Sequence, residues 1–438
     1  MLRGNPILTC VKAGRGTIFL NRVMGKGASK IFGNLKANGK VYLLNKNGIF
    51  IGKSGVINTA SFIASTLELS DEAFQRDKDL KFTGDSKASI VNLGKVFADS
   101  DIYFFAKEIE NQGTLSAETV GFGAGRVYLQ EGSEERIFVC PDSEGAILNE
   151  GLIEATNVEL KAHGGNLYSL AINHKGIIDA NTICNEKGRV ILRAIEGNTN
   201  VSGCIKNRGE THLLGKEVRV IESAFIDASG VDKAGTVLIG GDYQGKNPSI
   251  TNAISTFVDP GVIIHANGLE NGDGGKVIVW GDDLISFFGE IQAKGGEISG
   301  DGGFVEISSP KNWQASIKNI KVGSINGKRG VLLLDPADIT IDAVGPTSPA
   351  LVSSPYSTNG NTATLLNTDV NTFLTNTGDL TIQTSGTGAN TGVVSVTADL
   401  TWANESVLTI LANEGISVSS GVTISNTDAT TSPIAVIV

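Results

Sequence analysis

The side chains able to do chemistry in this chain are few and scattered. Asp282 and Asp283 are the only adjacent acidic pair in its repeat-bearing core that lies near an aromatic residue, Trp280. Two carboxylates about 5 to 10 Å apart are what glycoside hydrolysis needs, but acids in surface turns are the simpler expectation. Asp273 and Asp301 occupy matching tetrads, Gly272-Asp273-Gly274-Gly275 and Gly300-Asp301-Gly302-Gly303. Stacked, they would offer oxygens to calcium. Their spacing is not that of the nonapeptide calcium repeat, so plain turns built on Gly274, Gly275, Gly302 and Gly303 are expected. His163, His174, His212 and His265 show no ligand spacing and are expected in solvated loops. Cys10, Cys140, Cys184 and Cys204 form neither a CxxC motif nor a Cys/His cluster. Cys184 and Cys204 are close enough in sequence to sit on adjacent coils of a repeat, yet buried free thiols are the expectation. No catalytic residue, metal or cofactor is assigned.

Composition sets the frame those residues must occupy. The 438 residues include 55 Gly and 10 Pro, with 40% hydrophobic but only 6% aromatic content. Many small contacts must therefore replace the few large ones of an ordinary globular core. With 36 basic and 46 acidic residues the net charge is −10, and no basic run marks a nucleic-acid or anionic-lipid partner. No stretch approaches the roughly 18 apolar residues of a membrane span. Met1 to Pro6 lacks the hydrophobic centre of a signal peptide.

Repetition is plain. Gly-x-(Ile/Leu/Val)-x-Ala recurs at Gly33–Ala37, Gly94–Ala98, Gly113–Ala117, Gly151–Ala155, Gly176–Ala180 and Gly289–Ala293. A second element, Gly-x-Val, follows at Gly125, Gly188, Gly235, Gly275 and Gly303. The segments 261–288 and 289–316 match at an offset of 28, aligning Gly261 with Gly289, Ile263 with Ile291 and the two Gly-Asp-Gly-Gly tetrads. Each element alternates apolar and polar residues, as a strand with one buried face does. Strands this short cannot bury their own apolar face, so successive units must stack, each strand pairing with its equivalent one coil away. The predicted fold is all-β: a right-handed parallel β-helix with coils of about 19 to 28 residues. Asn111, Asn149 and Asn207 each stand two residues before a glycine, and would form a hydrogen-bonded ladder if their turns align. Asp71 to Leu80 reads as a loop or one irregular turn, and helical periodicity is otherwise almost absent.

After Arg329 there is no Lys or Arg, and Ser, Thr, Asn and Gly dominate. Alternation at Gly378–Ile382, Val393–Val396 and Gly415–Val418 predicts further β-helix beyond a loop at about 343–360. The uncapped strand-like end at Ile434–Val438 leads us to expect a longer original polypeptide.

Leu20–Val23, Ile31–Gly52 and Ala64–Leu67 resemble the secretion domain of filamentous haemagglutinins and related high-molecular-weight adhesins, which are two-partner-secretion exoproteins. Gly272–Val277, Gly300–Ile307 and Gly330–Ile341 resemble the region that follows it in the same adhesins. The family's Asn-Pro-Asn-Gly secretion motif falls on Asn45, Lys46, Asn47 and Gly48, with Lys46 replacing the proline. The resemblance implies a partial secretion domain at 1–70 that starts downstream of the family's usual beginning. Repeats would follow at 71–342 and a continuation at 343–438. It also implies export without a nucleotide through an outer-membrane transporter of the Omp85 type, display at the bacterial surface or release from it, and binding to a host-cell glycan or protein. Asn45, Asn47 and Gly48 would be read by the transporter. The alternatives are a β-helical polysaccharide-degrading enzyme and a structural spacer without a ligand.

Overall fold

The computed structural model describes residues 7–9, 17–76, 79–130, 135–141, 143–164, 169–181, 188–345, 363–385, 391–428 and 434–437. The chain forms two compact units, Met1–Asn207 and Arg208–Val438, and both are parallel β-helices.

In the first unit a coil contributes up to three strands. Val56–Thr59, Lys95–Ala98 and the start of Thr114–Ala124 lie on one face, and Ser61–Ser65 and Asp101–Ala106 on the next. Ser89–Asn92 and Glu108–Asn111 lie on the third. Because the coil strands pair in parallel, with a register shift only between Leu170 and Ile172 among the described residues, like side chains stack on like. One interior column is Ile57, Val96, Leu115, Ile153, Ile178 and Ile205, all fully buried. A second is Phe104, Phe122, Leu160 and Leu192, in which the two phenylalanine rings stack at 5.2 Å. At about 25 cal/mol per Å² of apolar surface, these columns supply what a compact core of large side chains supplies elsewhere.

Two expectations change here. Gly125-Arg126-Val127 does not open a coil strand. Val127–Leu129 pairs antiparallel with Leu80–Thr83 and Ile137–Val139, forming with Glu68–Leu69 a four-stranded sheet outside the coil. That sheet covers Tyr42, Ile63, Tyr103 and Phe105, which the coil turns outward. Glu159 and Lys161 fasten it. Glu159 accepts the backbone N–H groups of Arg136 and Ile137 at 2.8 and 3.0 Å, and Lys161 donates to the Ile137 carbonyl at 2.8 Å. Asp71–Arg76, expected as a loop or irregular turn, is a short α-helix. Ser70 caps it by accepting the Ala73 N–H at 3.1 Å, and Phe74 packs edge-on against Tyr42.

In the second unit Val237, Val277, Val305, Leu332, Leu380 and Leu408 form the main interior column, again fully buried. The duplication is real but split. Val277 pairs with Val305 at the expected offset, whereas Ile291 pairs with Ile264 rather than Ile263. Ile264 is the buried residue and Ile263 is exposed; the turn absorbs the extra position. The predicted strands beyond residue 343 are present, with Asp379–Gln383 on Val331–Pro336 and Val393–Val396 between Ile339–Asp342 and Gly415–Val418. The loop expected at 343–360 lies mostly outside the described residues. The helix Asn367–Asn376 departs from the all-β expectation, although Val370, Phe373 and Leu374 place its apolar stripe at helical spacing.

Coil length is also wider than expected. Stacked residues are 19 apart at Asn92 and Asn111 and 28 apart at Asp273 and Asp301. The interval is 38 at Asn111 and Asn149, where the outer antiparallel strands are inserted, and 48 at Asp335 and Gln383, where the helix is.

Candidate secretion-motif turn and the buried polar groups

Asn45 ends the strand Lys40–Leu44 and is buried, which for an amide demands partners. It has them. Its Nδ2 donates to the Gly27 carbonyl at 3.0 Å and the Ser29 hydroxyl at 2.9 Å, tying the turn to the preceding coil. Its Oδ1 accepts the Asn47 N–H at 2.9 Å, and its carbonyl accepts the Gly48 N–H at 3.0 Å. Asn45 to Gly48 is thus a β-turn reinforced by a side-chain bond. Asn47 donates to the Gly25 carbonyl at 2.8 Å, and Gly48 takes φ +107°, where a β-carbon would be strained. Lys46 stands at the second turn position, the one that favours proline, and its side chain is exposed. The turn closes without proline because Asn45 supplies the constraint. Asn45, Asn47 and Gly48 are therefore brought together as one rigid feature.

The asparagine ladder is only partly the one expected. Asn111 and Asn149 belong to it, but it also takes in Asn92 and His174, which follow the same spacing two residues before Gly94 and Gly176. Asn92 donates to Asn111 at 2.8 Å, Asn111 to Asn149 at 2.8 Å, and Asn149 to His174 Nδ1 at 3.1 Å. His174 Nε2 then faces the Cys204 carbonyl at 3.2 Å. The bonds all run one way, so His174 is neutral with its proton on Nε2. Burial pulls its pKa down to about 4, opposed by the bond to that carbonyl. His174 is thus no solvated loop residue; it ends the strand Leu170–His174 inside the coil. The other three histidines also depart from exposed loops. His163 is buried, and His212 and His265 lie on strands, partly buried. Asn207 is buried but outside the ladder, because it follows a strand of a different face, Cys204–Lys206. Pairing of Cys184 with Cys204 falls outside the described residues.

In the second unit the tetrads stack. Asp273 accepts the Asp301 N–H and Asp301 accepts the Lys328 N–H, both at 2.8 Å. Gly300 takes φ +120°, whereas Gly274, Gly275, Gly302 and Gly303 are required by close approach. A β-carbon on Gly274 would meet the Ala293 carbonyl, one on Gly275 the Gly235 carbonyl, one on Gly302 the Val322 carbonyl, and one on Gly303 the Gly275 carbonyl. Asp282 accepts from the Trp280 indole at 2.7 Å and from Asn252 at 2.9 Å, and Asp283 pairs with Lys311. This pair is occupied in holding the surface.

A different carboxyl pair has no signature in the sequence. Glu306 and Asp335 lie on neighbouring strands, Phe304–Ser309 and Val331–Pro336, and both are buried. Glu306 accepts the N–H of Gln244, a residue at φ +52°, at 3.1 and 3.2 Å through its two oxygens. Asp335 accepts from Gln383 at 3.3 Å, and its other oxygen is without a partner among the described residues. Burial pushes Glu306 up to about 7 and Asp335 up to about 6, their mutual repulsion adding to Glu306. Two acids that hold protons near neutrality have the acid–base character of a hydrolase, and both oxygens of Glu306 are engaged by the Gln244 N–H. Among the described residues no group of three or more His, Cys, Asp or Glu side chains is arranged for a metal. No helix among them is long and apolar enough to cross a membrane.

Known proteins share this architecture. Residues 11–207 match the family model of the TPS secretion domain, a span that ends where the first compact unit ends. The crystal structure of the HMW1 secretion domain from Haemophilus influenzae superposes with a TM-score of 0.63 at 29% identity, covering 75% of this chain and 89% of that one. Two heme/hemopexin-binding proteins of Haemophilus influenzae are 32% and 31% identical over 213 and 235 residues, 44% and 45% of this chain. The chain spans about a quarter of the length of those relatives, 23% and 25%. Residues 11–207 are thus similar to TPS secretion domains, and the matched span, these identities and the shared coil geometry support a two-partner-secretion exoprotein.

Proposed function

We propose that the chain is a non-enzymatic binding exoprotein, an adhesin in the broad sense. The TPS domain addresses it to its transporter, and the coils that follow present a binding surface to host molecules. The observation that carries the reading is the Asn45–Gly48 turn, a rigid, side-chain-locked feature with an exposed Lys46 at its tip, suited to being read by a partner. In-register stacking supports the rest, since each coil adds surface without a new core. The host molecule is a cell-surface glycan or a glycoprotein. Hemopexin is the first protein to try, because it appears in the names of relatives 32% and 31% identical to this chain.

The test is secretion followed by binding. The chain, given an export leader, is co-expressed with its Omp85-type transporter, and the medium is assayed for it. Asn45→Ala with Asn47→Ala is expected to reduce secretion by about tenfold or more, with Lys46→Ala close to the parent. The refolded double variant should keep its β-sheet circular dichroism, which separates recognition from folding. Secreted protein is then offered to red cells, epithelial cells and immobilised hemopexin. Full secretion of the double variant would refute the role of the turn; depolymerisation of a polysaccharide by the purified chain would replace the binding reading with an enzymatic one.

A further inference from the structure

Residues 208–438 contain a groove of about 690 Å³ that crosses four successive coils. Its floor is bare backbone, because Gly235, Gly275, Gly303 and Gly330 stack in one column. The N–H groups of Lys276, Phe304 and Val331 bond to the glycine carbonyls one coil before, at 3.1, 2.9 and 3.0 Å. Side chains at these positions would strike the backbone of the neighbouring coil, so the floor stays flat. Tyr243 and Phe304 contribute aromatic rings to the lining, their centroids 5.9 Å apart, and Tyr243 is 44% exposed. Lys233 and Arg329 also line it and make no ion pair among the described residues, whereas Lys276 is paired with Asp242 at 2.9 Å. Asp273 and Asp301 complete the polar lining, each with one oxygen already engaged by backbone.

This lining has a chemical signature. Its volume lies within the range of small-ligand sites, about 300 to 1,000 Å³. Lys233 and Arg329 stand at the two ends of the lining and Asp273 and Asp301 between them, so a polyanion would meet Asp273 and Asp301 as well as a chain of net charge −10. Sugar hydroxyls both donate and accept, and can be served by both kinds of group. Lys276 Nζ lies over the Tyr243 ring at 5.8 Å from its centroid, and the part of Tyr243 left exposed suits the apolar face of a pyranose ring. Adjacent coils are about 4.8 Å apart, close to the length of one pyranose unit, so a linear glycan lying along the column would meet an equivalent position at every coil.

We propose that this groove binds a linear, uncharged oligosaccharide along the coil stack, with Tyr243 as the stacking platform and Lys233, Arg329, Asp273 and Asp301 as hydroxyl partners. The proposal rests on the reading of the coils as a binding surface and names its ligand class.

The full chain is titrated calorimetrically with cellohexaose, mannohexaose, maltohexaose and a galactohexaose, with the matching disaccharides, and with a heparin-derived hexasaccharide. At least one neutral hexasaccharide is expected to bind, its disaccharide more weakly, with little dependence on salt. Tyr243→Ala should weaken binding about tenfold, equivalent to about 1.4 kcal/mol, and Tyr243→Phe should restore it. Lys233→Gln, at an exposed position that does not threaten folding, should weaken it severalfold. Binding of heparin alone, lost at high salt, would overturn the proposal. So would neutral-glycan binding indifferent to both Tyr243→Ala and Lys233→Gln. If no hexasaccharide binds while the chain still adheres to cells or captures hemopexin, this site is wrong and the binding reading survives. If neither occurs, both fall.

Discussion

The two units place their stacked polar groups in opposite ways. In Met1–Asn207 the polar ladder is inside, amide to amide, filling the column between Ile51 and Val201. In Arg208–Val438 it is at the surface, where Asp273 and Asp301 each accept a backbone N–H from the next coil. An interior ladder must be complete, because every unpaired buried amide costs about 1–3 kcal/mol. A surface ladder tolerates gaps, since water replaces a lost partner. The units differ likewise in their buried titratable groups: a histidine kept neutral in the first, and two carboxyls kept protonated toward neutral pH in the second.

The sharpest break in that comparison is Asn111→Ala against Asp301→Ala. Removing Asn111 strands the Asn92 amide and the Asn149 carbonyl, so a loss of about 3 kcal/mol or more is expected. Removing Asp301 should cost about 1 kcal/mol or less. Hydrogen exchange of coil peptides in the full chain reads both, and equal losses would show that the interior ladder is not special.

Next in size is pH. His174 has an ordinary value of 6.5 and a folded value of about 4. Between those limits the unfolded chain takes up a proton that the folded chain refuses, so the first unit loses stability as pH falls. Glu306 moves from 4.5 to about 7 and Asp335 from 3.8 to about 6, so there the folded state holds protons the unfolded state has lost. The second unit therefore loses stability as pH rises through the same range. Each group contributes up to about 3 kcal/mol, because a tenfold change in proton affinity on folding is worth about 1.4 kcal/mol. After correction for intrinsic rates, peptides around Leu170–His174 should be better protected at pH 7.5 than at pH 5, and those around Phe304–Pro336 the reverse. Glu306→Gln should flatten the second trend and leave the first. Parallel trends in both units would sink the assignment.

The smallest expected effect is at the secretion turn. Lys46→Pro fits the second turn position, and among the described residues no bond from the Lys46 N–H is present to be lost. It should stabilise by about 0.4–1 kcal/mol through the unfolded chain, read as a small rise in the midpoint of the first unit. Destabilisation would mean that the turn is not the one described.

Much of this molecule can be read directly from its residues. Gly-x-(Ile/Leu/Val)-x-Ala with a second Gly-x-Val names the coil and its inward residues, because a period of two and a stacked repeat leave one way to bury Val96, Leu115 and Ile153 together. Asn111 and Asn149 are visible by their place before glycine, and Asn92 and His174 obey the same spacing. His174 eludes a reading that weighs histidine by its chemistry rather than its position. The tertiary structure alone decided what lies outside the period. Val127–Leu129 has the look of a coil strand, and only the exposed apolar patch at Tyr42, Tyr103 and Phe105 draws it into an outer antiparallel sheet. Glu306 and Asp335 are well separated in sequence and unremarkable there; the register of two neighbouring strands makes them a buried pair. Local alternation determines which side of a strand faces inward, whereas insertions of unequal length between strands leave the company kept by outward residues to packing.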